Sequence, residues 1–86
     1  MQLNSKALGL TVGVLSGAFW LVAMTLSLLT GFGEQTLTIW GSWHPFFTYS
    51  LVGMIVIVIG HLVAGFIAGW IFAAVYNKFN KPPTVQ

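Results

Sequence analysis

The stretch from Phe46 to Val75, FFTYSLVGMIVIVIGHLVAGFIAGWIFAAV, decides the fold. It carries no Asp, Glu, Lys or Arg, and at ~1.5 Å per residue it spans roughly 45 Å as a helix, more than the about 30 Å of a bilayer core. Such a run reads as a transmembrane helix that tilts or extends past the core at its Phe46, Phe47 and Tyr49 end. A second uncharged run, Ala7 to Leu29 (ALGLTVGVLSGAFWLVAMTLSLL), is long enough to span as well. It is read as a retained helix rather than a signal peptide, because it is full length and holds packing glycines.

Composition agrees with that reading. Of 86 residues, 57% are hydrophobic and 5% charged, too little polar surface to coat a soluble globule. The expected fold is an all-α membrane protein: a two-helix transmembrane hairpin forming one unit over residues 1–86. Helix 1 covers about 7–29, an interfacial loop 30–45, helix 2 about 46–76, and a short tail 77–86, stopped by Pro82 and Pro83. The absence of cysteine excludes disulfides and thiolate metal sites.

Charge sets the expected orientation. Lys6 precedes the first helix and Lys78 and Lys81 follow the second, whereas Glu34 lies in the loop. By the positive-inside rule both termini are cytoplasmic, in a prokaryotic inner membrane. The net charge of +2 is a topology signal, since no basic stripe exists to bind nucleic acid.

The loop TGFGEQTLTIWGSWHP is expected on the outer membrane surface. Gly31 and Gly33 break the first helix, and Trp40 and Trp43 are interface anchors, with Tyr76 in that role at the other boundary. His44, just before Pro45, is read as a partly exposed histidine at the water boundary.

Small residues mark the expected packing faces. Gly9, Gly13 and Gly17 recur every four positions in the first helix, and Gly65, Gly69 and Ala73 in the second. Such rows let backbones approach where lipid supplies no hydrophobic drive. Extending the second row backwards gives Gly53, Ile57 and His61.

His61 is the first functional candidate, a titratable ring near the middle of an apolar helix. Antiparallel packing places Gly17 and Trp20 at its depth and Ser16 a turn away. Three readings stay open: a neutral interhelical hydrogen bond to the Ser16 hydroxyl or a backbone carbonyl, axial ligation of haem or chlorophyll, or proton or ion conduction. One acidic residue and two histidines held apart by half a helix cannot build a zinc, paired-carboxylate or nucleophile–base site within the chain. No enzymatic activity is expected.

The segments QLNSKALGLTVGVLSGAFW and GHLVAGFIAGWIFAAVYNKF resemble the two ends of a widespread family of small prokaryotic two-helix membrane proteins, mostly uncharacterised, some labelled bacteriophage holin. The markers are Asn4 with Lys6 and Ala7, the glycine row, and Gly65-Phe66 through Tyr76-Asn77-Lys78-Phe79. Members often carry an acid before the Gly-Phe pair, where this chain has Ala64. The resemblance implies the hairpin and no activity.

Two functions are expected from these features. The first is a small accessory or assembly subunit, associating through its glycine faces with other transmembrane subunits of a larger respiratory or photosynthetic complex, with His61 as interhelical glue or cofactor ligand. The second is a self-associating, holin-like pore former. A pore should show a polar stripe, and the small-residue faces here are glycine and alanine.

Overall fold

The computed structural model describes residues 2–80 as three helices in an elongated body of 61 × 20 × 18 Å. In chain order they are α1 (Ser5–Thr30), α2 (Glu34–Gly41) and α3 (Leu51–Phe79). Two of them, α1 and α3, are long and apolar enough to cross a membrane. Lys81, Pro82 and Pro83, and with them most of the expected tail, lie outside the described residues.

Local signals account for each boundary. Asn4 caps α1, its side chain accepting from the Ala7 N–H at 2.9 Å. Gly31, at φ 79°, ends the helix in the left-handed region, and its N–H donates to the Ser27 carbonyl. A second left-handed glycine, Gly33 at φ 73°, opens α2. Ser50 caps α3 by accepting from the Gly53 N–H at 3.1 Å.

The two long helices run antiparallel in close contact. A Cβ placed on Gly65 would lie 2.7 Å from the Gly13 Cα, and one on Gly69 would lie 2.7 Å from the Gly9 Cα. The backbones therefore touch where the two glycine rows face each other. At the far end Asn77 closes the pair, accepting from the Leu3 N–H at 2.7 Å and donating to the Leu3 carbonyl at 2.6 Å.

Three boundaries differ from the sequence expectation. Within the expected interfacial loop, residues 34–41 form a short helix, α2, whose Leu37 is buried with Trp20, Met24 and Ile57. The second long helix begins at Leu51 rather than Phe46. Pro45 and Phe46 form a turn in which Phe46 takes φ 63°, and the Ser50 cap sets the helix start five residues later. At the other end α3 continues through Asn77 to Phe79, held by its bonds to Leu3.

Candidate functional site

The segment between α2 and α3 folds back along the two long helices. The Ser27 and Tyr49 hydroxyls share a hydrogen bond, fixing the upper part of the segment against α1. Deeper in the fold, the Phe47 ring covers Gly41 and reaches Trp20 at 6.2 Å between centroids. Turn bonds from the Trp43 N–H to the Trp40 carbonyl and from the His44 N–H to the Gly41 carbonyl carry the chain past the end of α2. His44 is thereby brought beside the tenth residue of α3 after its first, about 15 Å along the helix axis.

There His44 meets His61. Their Nε2 atoms are 3.0 Å apart and both rings are half-buried. Trp20 closes one side, with its ring centroid 5.5 Å from that of His44 and 5.8 Å from that of His61. Trp20 is itself only 4% exposed, packed in the buried cluster with Met24, Leu37 and Ile57. An open groove of about 550 Å³ flanks the pair on another side, lined by both histidines and by Pro45, Phe46, Gly60 and Ala64 among others.

For neutral rings the hydrogen bonds assign the tautomers. His44 Nδ1 lies 3.0 Å from the Trp40 carbonyl, which can only accept, so this nitrogen carries the proton. His44 Nε2 is then a lone pair, and His61 Nε2–H is the donor between the rings. His61 Nδ1 follows as a second lone pair, with no hydrogen-bond partner among the described residues. Two neutral imidazoles thus form a directed chain that ends on the Trp40 carbonyl.

This arrangement corrects the expectation for His44. A helix starting at Pro45 would hold the two histidines about 25 Å apart along its axis. The turn at Pro45 and Phe46 reverses the chain instead and puts them in contact. The partner expected for the His61 ring changes too. Ser16 Oγ donates mainly to the Val12 carbonyl at 2.8 Å, and its 3.4 Å approach is to the His61 carbonyl, not the imidazole. Trp20 does stand at the depth of His61.

The small residues fall as follows. Gly9, Gly13 and Gly17 are buried on α1, and Gly65, Gly69 and Ala73 on α3. A Cβ on Gly9 or Gly13 would strike the Phe66 or Leu62 carbonyl at 2.6 or 2.7 Å. Both rows are occupied by each other within one chain. Gly53 is also buried but faces the Thr48 backbone rather than α1, because the returning segment lies across it. Of the expected anchors, Trp43 is 74% exposed, Trp40 41% and Tyr76 37%.

For a haem or chlorophyll ligand the geometry is unfavourable. His61 Nε2 is directed at His44, and a tetrapyrrole would have to displace that ring while Trp20 stays in place. No third His, Asp, Glu or Cys joins the pair among the described residues. Comparison with protein-family models, curated proteins and solved structures gave no match.

Proposed function

We propose that the protein is a small, non-catalytic integral subunit of a prokaryotic cytoplasmic membrane, with both termini cytoplasmic, that serves by packing against larger transmembrane partners. The observation that carries this reading is the chemistry of the outward surface. Leu10, Val14, Phe19 and Val22 on α1 and Ile59, Val63 and Ile67 on α3 are all exposed, and exposed hydroxyls of α1 are bonded to their own helix backbone. Thr11 donates to the Ala7 carbonyl at 2.8 Å and Thr30 to the Leu26 carbonyl at 2.7 Å. Among the described residues the exposed faces of α1 and α3 are mainly apolar, which argues against a water-filled pore lined by them.

Because the glycine rows hold the hairpin itself, contact with neighbours runs over these apolar faces. Extraction in mild detergent followed by native electrophoresis and mass determination tests the reading. Migration with larger polypeptides at fixed stoichiometry is expected. A ring made of this chain alone, or a free monomer, overturns it.

A further inference from the structure

We propose that His44 and His61 form a binding site for a divalent transition-metal ion of the zinc class, held between their Nε2 atoms. A metal site is expected to show converging donors, a partner that orients each ring, an open coordination position and a path for entry. Here the two Nε2 atoms face each other at 3.0 Å. Tetrahedral coordination with Zn–N bonds of about 2.05 Å places two imidazole nitrogens about 3.3 Å apart, and cis positions of a square plane place them about 2.9 Å apart. The observed separation lies between these values, so the two nitrogens already stand at the spacing a shared ion requires, and rotation of the rings turns both lone pairs toward it.

The surroundings favour ligation over a merely structural contact. His44 is oriented as metal-bound histidines are, its Nδ1–H on the Trp40 carbonyl leaving the Nε2 lone pair directed at the site. His61 is ready for the same role through a tautomer change, its proton moving from Nε2 to the unpartnered Nδ1. Starting from neutral rings, this step releases no net proton.

Two protein ligands leave coordination positions open, and the groove beside the pair supplies them. Its other walls are mainly apolar, and at Gly60 there is open space where a side chain would otherwise stand. With no third protein donor among the described residues, the ion sits in an exchangeable site rather than the closed four-ligand type of a structural zinc centre.

The test uses the full chain, purified in detergent without a histidine tag and titrated with Zn2+ while bound metal is measured after dialysis. About one ion per chain is expected, with affinity falling at least tenfold in both His44→Ala and His61→Ala and unchanged in Ser16→Ala. Retained helicity by circular dichroism is required of each variant. Cu2+ loaded into the wild type gives an independent reading that needs no variant: its electron paramagnetic resonance spectrum should show hyperfine splitting from two equivalent imidazole nitrogens. Absent zinc binding, binding indifferent to both substitutions, or a copper spectrum with one nitrogen or none overturns the proposal.

Discussion

Gly13→Ala adds one methyl group at the closest approach of the two long helices. The new Cβ would lie 2.7 Å from the Leu62 carbonyl oxygen and 3.2 Å from the Phe66 nitrogen, both of them backbone atoms of α3. Ordinary contact begins near 3.4 Å, so the helices must separate locally by about 0.7 Å. A gap of that size forfeits roughly a quarter to a half of each dispersion contact along the seam, and overpacking of this kind costs about 1–3 kcal/mol. The intrinsic helix preference of alanine over glycine returns about 0.5–1 kcal/mol, leaving a net loss of about 0.5–2 kcal/mol.

Gly60 provides the internal control. It lies in the same apolar helix with nothing within 4 Å of its notional Cβ. Gly60→Ala therefore keeps the propensity gain without the clash and should leave stability unchanged or raised by up to about 0.5 kcal/mol. Reversible unfolding in mixed micelles, followed by near-ultraviolet circular dichroism of the packed tryptophan, measures both. Equal destabilisation by the two substitutions, or a Gly13→Ala chain as stable as the parent, would refute close backbone packing at the seam.

Other contacts yield their own expectations. Tyr49→Phe removes the hydroxyl that holds the returning segment to Ser27 and should loosen that segment by about 1 kcal/mol, seen as faster amide exchange over residues 42–50 with α1 and α3 unaffected. Asn77→Ala breaks both bonds to Leu3 and should fray the ends of α1 and α3 alone, detectable as exchange confined to those termini. Gly31→Ala places a side chain in the left-handed region at φ 79° and should cost about 1 kcal/mol in the same unfolding assay, although nothing lies within 4 Å of the site.

The two long apolar helices were legible because their signals are compositional and repetitive. Uncharged runs mark the helices, and the glycines spaced by four lie where their backbones approach. Both survive errors of a few residues at the ends. His61 was legible for a similar reason, as the one titratable group between residues 51 and 75. His44 was hidden by a boundary. Taking Pro45 as a helix start placed it at the surface, whereas Ser50, with its side chain on the Gly53 N–H, is the true cap. The excess length of the run from Phe46 to Val75 was the available clue. A stretch near 45 Å has residues to spare, and the first five of them form the return that carries His44 inward. The path of α2 depends on two left-handed glycines and the burial of Leu37 against Trp20 and Ile57, contacts between segments that no local pattern encodes.

The contact between the histidines is the most direct consequence of that returning segment, and the chain is suited to observing it because its sequence contains only two histidines. Selective 15N labelling of histidine in metal-free protein in lipid leaves two rings to detect by solid-state magnetic resonance. Nε2 atoms at 3.0 Å should give a cross-peak between the rings, with the His44 Nδ1 and His61 Nε2 protonated. Two isolated ring systems with no correlation between them would contradict the fold described for residues 42–50 and the site built on it.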